Sequence, residues 1–75
     1  MSNQVYGLYF RLKSDLWVEP VMYGTNITQL RKVMAGLTQR PIKIGSYDID
    51  NEPDMDCYSE NDSFYIKIKK MPTIN

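Results

Sequence analysis

Apolar and polar residues alternate along this chain with two different periods, and each period predicts a kind of element. Over 5–12, Tyr6, Leu8, Phe10 and Leu12 alternate with Val5, Gly7, Tyr9 and Arg11. That period of two is what a half-buried strand requires, because successive side chains leave opposite faces. Lys13, Ser14 and Asp15 supply a turn. Residues 16–23 are rich in strand formers, but Pro20 interrupts them. Proline has no N–H to donate to a ladder, so the expectation is an edge or bulged strand forming a hairpin with the first.

Gly24, Thr25 and Asn26 close that hairpin, and Asn26 is placed as a helix N-cap with Gln29 three residues on. Ile27, Leu30, Val33, Met34 and Leu37 then recur at spacings of three and four, while Gln29, Arg31, Lys32 and Gln39 point away. This predicts an amphipathic helix from Ile27, ended by Gly36 and the Arg40-Pro41 pair, since the residue before proline is pushed out of helical geometry. A short strand over 42–47, with Ile42 and Ile44 inward, is expected next. Residues 48–63 contain Pro53 and no clear period, and read as a long acidic loop; loops beyond about 12 to 15 residues are uncommon unless functional or disordered. Phe64, Ile66 and Ile68 alternate with Tyr65, Lys67 and Lys69 in a final strand over 64–70, and 71–75 reads as a frayed tail.

The order β-β-α-β-β predicts an α+β fold, one antiparallel or mixed four-stranded sheet with a single helix on one face. The other face is expected to stay largely wet, with Tyr9, Arg11, Lys43, Tyr47, Tyr65, Lys67 and Lys69 as candidates for it. At 75 residues there is room for one core, so residues 1–75 are read as a single domain. A hydrophobic fraction of 43% with a mean hydropathy of −0.44 belongs to a folded globular chain. No apolar run approaches the roughly 18 residues that span a bilayer, and Met1, Ser2, Asn3 and Gln4 lack the features of a secretion signal. Cys57 is the only cysteine, so no internal disulfide forms. These features together predict a cytoplasmic protein, in which the glycosylation-like triplets at Asn26 and Asn61 are chance occurrences.

Charge changes the picture through its placement. Nine basic and nine acidic residues cancel, yet seven of the nine acids lie within 48–62, a stretch without Lys or Arg. Catalysis is not expected: the chain has no histidine, its only thiol sits among acids that raise its pKa, and its glycines are too scattered for a phosphate loop. No cofactor is expected either. Asp48, Asp50 and Glu52 are similar to the start of a calcium loop, but Pro53 stands where the turn glycine belongs and no acid occupies the twelfth position.

Two functional expectations follow, beside the plainer one of a solvated loop that keeps the domain soluble. The first is a small intracellular binding protein, an inhibitor or regulator of bacterial or phage type, docking on a basic partner surface and imitating nucleic acid. Its contact residues are Asp48, Asp50, Glu52, Asp54, Asp56, Glu60 and Asp62, with Met55 and Tyr58 as apolar anchors. The second is a single-stranded nucleic-acid-binding module in which Tyr9 and Tyr65 stack on bases while Arg11, Lys43, Lys67 and Lys69 meet phosphates. A homodimer through an unpaired strand is compatible with either.

Overall fold

The computed structural model describes residues 4–45 and 54–72. The chain runs β1 (Val5–Leu12), β2 (Met22–Gly24), α1 (Ile27–Thr38), β3 (Lys43–Ile44), β4 (Met55–Glu60) and β5 (Phe64–Met71). The strands form one sheet in the order β2-β1-β5-β4-β3, and each of its pairings is antiparallel. The class is α+β with a single helix, as the patterning predicts, but the sheet has five strands rather than four.

The additional strand is β4, which lies where the sequence reads as an acidic loop. Its register against β5 sets Cys57 opposite Ile68 and Ser59 opposite Ile66, with an irregularity between Met55 and Cys57. A bulge of this kind places two residues of one strand against one of its neighbour and breaks the alternation that would reveal the strand. Over 16–23 the difference is the reverse. Only Met22–Gly24 is strand, and 13–21 is irregular chain folded back across the outer face of the sheet. The expected strand at 42–47 is confined to Lys43–Ile44, and 46–47 lie outside the described residues.

Leu8, Leu30, Met34, Cys57, Ile66 and Ile68 form the core between α1 and the centre of the sheet, with Tyr6, Phe10, Ile27, Val33, Ile42 and Phe64 packed around them. Each large aliphatic buried there contributes about 1.5–3 kcal/mol. Asn26 caps α1 through its Oδ1, which accepts from the Gln29 N–H at 3.2 Å. Gly36 does not end the helix. The chain leaves it at Gln39, which takes the left-handed conformation (φ 55°) and donates its N–H to the Ala35 carbonyl at 2.8 Å.

Leu37 and Ile44, expected inward, are instead exposed. Where the stripe predicts Leu37, the last turn of α1 buries Thr38, whose Oγ1 lies 2.9 Å from Ser59 Oγ. Ser59 Oγ in turn donates to the Pro41 carbonyl at 3.2 Å, so these buried hydroxyls are satisfied locally.

Candidate functional site

Among the described residues, Asp54, Asp56, Glu60 and Asp62 do not come together as one site. Asp48, Asp50 and Glu52 lie outside the described residues. Asp54 and Asp62 are exposed and stand beyond opposite ends of β4, a strand of six residues. Six residues of strand span about 20 Å, well beyond the screening distance at ordinary ionic strength. Asp56 is held against the helix: its Oδ2 accepts from Arg31 Nη2 at 2.8 Å and from Nε at 3.1 Å. Glu60 pairs with Lys13 Nζ at 3.2 Å. Met55 and Tyr58, read as exposed anchors, are buried. The physical reason is that β4 is sheet rather than loop. Its side chains are dealt alternately to two faces, and cations on α1 and in the 13–21 segment meet the acids that emerge there.

Arg31 has its pKa raised, chiefly by the hydrogen bond to Asp56. Cys57 lies immediately after Asp56 and is inaccessible to solvent. Its thiol is pushed up to about 12, first by burial and then by the Asp56 carboxylate, and this opposes nucleophilic use. Among the described residues no three acids or cysteines converge as a metal site.

The register does bring the sheet-face candidates together. Arg11 stands opposite Tyr65 and Tyr9 opposite Lys67, with Lys69 opposite Gly7. Lys43 is on β3, beside Tyr58. What the sequence reading lacks is the cover over this face, Trp17, whose ring sits 4.2 Å from Lys67 Nζ and 5.0 Å from the Arg11 guanidinium carbon. Lys67 is only 2% exposed as a result.

Arg11 also stacks on Tyr65 at 4.5 Å. Its Nη1 donates to the Leu12, Lys13 and Asp15 carbonyls at 2.8–3.2 Å, pinning the start of the 13–21 segment. Tyr9 meets the Trp17 ring edge-on, and its hydroxyl donates to Met71 Sδ. Arg11, Lys67 and the Tyr9 and Trp17 rings are engaged with one another here, in pairs worth about 0.5–2 kcal/mol each, while Lys43 on β3 is exposed. Gly7 permits this layer. A Cβ there would lie 3.0 Å from Met71 Sδ and 3.3 Å from Pro20 Cβ.

The same fold that lays Trp17 over Lys67 turns its neighbours outward. Leu16 is 85% exposed, Val18 72%, Val21 64% and Tyr23 60%, and Met22 is also exposed. Two grooves are lined in part by this stretch. One of about 560 Å³ runs between the end of β1 and Leu16 and Val18. Another of about 270 Å³ lies between β2 and α1, lined by Met22, Tyr23, Leu30 and Val33. β2 is the terminal strand of the sheet, so one side of its backbone is without a neighbouring strand among the described residues. The strand formers at 16–23 were visible in the sequence, and so was the Pro20 interruption. That combination was the available signal of an apolar stretch with too little sheet to hide in.

No helix among the described residues is long and apolar enough to cross a membrane. No protein-family model, curated protein or solved structure matches the chain.

Proposed function

We propose that the chain is a non-catalytic binding protein, an inhibitor or regulator, that docks on another protein through the apolar edge formed by Leu16, Val18, Val21, Met22 and Tyr23. The observation that supports the reading is the exposure of these five apolar residues within 16–23, on and next to the terminal strand. Single apolar residues scattered over a surface need no explanation, whereas several exposed within one short stretch at a sheet edge are what a docking edge would present. The aromatic Tyr23 and the flexible Met22 are residue types that interface cores favour.

Docking by charge on a basic surface is the rival form of the same reading. Asp54 and Asp62 support it by being exposed, whereas Asp56 and Glu60 are taken up by Arg31 and Lys13. Affinity capture from lysate separates the two, using wild type, Leu16→Asp/Val18→Asp and Asp54→Lys/Asp62→Lys as baits. The apolar reading expects the captured protein to be lost with the first double variant and kept with the second. The opposite pattern would return the interface to the acids.

A further inference from the structure

We propose that residues 16–20 are a strap that gates a nucleic-acid-binding face: with Trp17 seated the face is closed, and with Trp17 lifted it takes up a single strand. The proposal goes beyond the docking reading and does not depend on it.

What lies under the strap selects the ligand. Tyr9 stands opposite Lys67 and Arg11 opposite Tyr65, and residues opposite one another across a ladder share a face. Each pair therefore holds one ring and one cation, and the second pair follows the first by two residues, about 7 Å along the strands. Lys69 extends the row at one end, and at the other Lys13 Nζ lies 5.1 Å from the Tyr65 ring. A repeat of ring beside positive charge matches a ligand that repeats a flat base beside a phosphate. An acidic protein surface would match the charges alone.

The strap is fastened at its ends and not along its middle. The Lys13 N–H donates to the Ser63 carbonyl at 3.2 Å, the Asp15 N–H to Leu12 at 3.0 Å and the Val21 N–H to Leu8 at 2.9 Å. Among the described residues, no backbone hydrogen bond joins 16–20 to the sheet, and the middle rests on side-chain contacts, foremost the Trp17 ring over Lys67 and Arg11. Leu16 and Val18, on either side of it, are exposed and have little packing to lose when the strap moves. The seated ring also leaves two donors unsatisfied: Trp17 Nε1 and Arg11 Nε are buried without a hydrogen-bond partner. A donor buried in this way has given up water for nothing, which offsets part of the cation–π attraction. Lifting 16–20 returns both to solvent, and a phosphate oxygen is the acceptor that a guanidinium favours.

Fluorescence anisotropy of a labelled thymidine oligonucleotide of about twelve nucleotides, at roughly 20 mM salt, tests this on the intact chain. Trp17→Ala should bind at least about tenfold tighter than wild type. Trp17→Phe keeps a ring over the cations while removing the unpartnered N–H, and should bind no tighter than wild type. Adding Arg11→Gln/Lys69→Gln to Trp17→Ala should abolish the gain, with circular dichroism confirming that each variant is folded. Trp17 is the only tryptophan, so at saturating oligonucleotide the emission of the wild-type chain should move to longer wavelength as the ring leaves the sheet. If Trp17→Ala does not fold, this titration decides alone, and saturable binding without an emission shift, or no binding, overturns the proposal. It is overturned equally by a Trp17→Ala chain that binds no tighter than wild type, by a gain that Trp17→Phe shares, and by a gain that survives Arg11→Gln/Lys69→Gln. A polyglutamate of the same length that binds Trp17→Ala as tightly would overturn the assignment to nucleic acid.

Discussion

Cys57 offers a sharp test of the sheet, because its reactivity depends on β4 being a strand. The thiol is fully buried, with its pKa raised from 9.0 to about 12. At pH 8 about one unfolded thiol in ten is ionised, against about one in ten thousand in the folded chain. Burial also blocks direct attack, so a thiol reagent reaches Cys57 chiefly through opening. A domain of this length is stable by roughly 4–11 kcal/mol, which makes the open form rarer than about one in a thousand. Labelling by a disulfide reagent such as Ellman's in native buffer should therefore be at least about a thousandfold slower than in denaturant.

The pH dependence has a definite sign. The folded-state pKa is the higher one, so the stabilisation from keeping this thiol neutral is fully present below pH 9 and is lost as pH climbs towards 12. Protection should therefore shrink across that window. Labelling at native pH within about tenfold of the denatured rate would refute the placement of Cys57 opposite Ile68 and return 55–60 to a loop.

Gly36 lies inside α1 with nothing within 4 Å of an added Cβ, so Gly36→Ala should stabilise by about 0.5–1 kcal/mol, read as a higher Tm. Asp56→Asn removes the partner of Arg31 in a partly exposed pair and should cost about 1 kcal/mol in chemical denaturation, less at high salt; no change at low salt would make the pair incidental. Trp17→Ala uncovers Lys67 and Arg11 and should cost about 2 kcal/mol, whereas an unchanged Tm would mean that 13–21 does not rest on the sheet. The same variant should bind oligonucleotides at low salt more strongly than wild type if the cations beneath Trp17 are capable of meeting phosphates, as read by a mobility shift.

Local periodicity was sufficient wherever an element presents a regular face to the core. Leu8 and Phe10 on β1, Ile66 and Ile68 on β5, and Leu30 and Met34 on α1 all pack where their spacing places them. The Asn26 cap was legible for the same reason, since it acts over three residues. β4 was hidden because its rule is not local. Asp56 is tolerated at the bulge by Arg31, and Ser59 is tolerated in the interior by Thr38 and Pro41, all distant in sequence.

The reverse holds for 16–21, whose residues favour strand but which Pro20 interrupts, so that only the Val21 N–H reaches β1, at the Leu8 carbonyl, and the stretch forms no ladder of its own. The charge run at 48–62 was a fact of sequence, but charge becomes a surface only when a fold chooses the faces. Here the described part of that run is divided between the two ends of β4 and two ion pairs. The sequence by itself therefore determined the helix, the two long strands and the neutral charge. The tertiary structure decided that Trp17 turns inward over Lys67 while Leu16 and Val18 turn outward, because only the assembled sheet offers a face for one ring to cover and none for its neighbours.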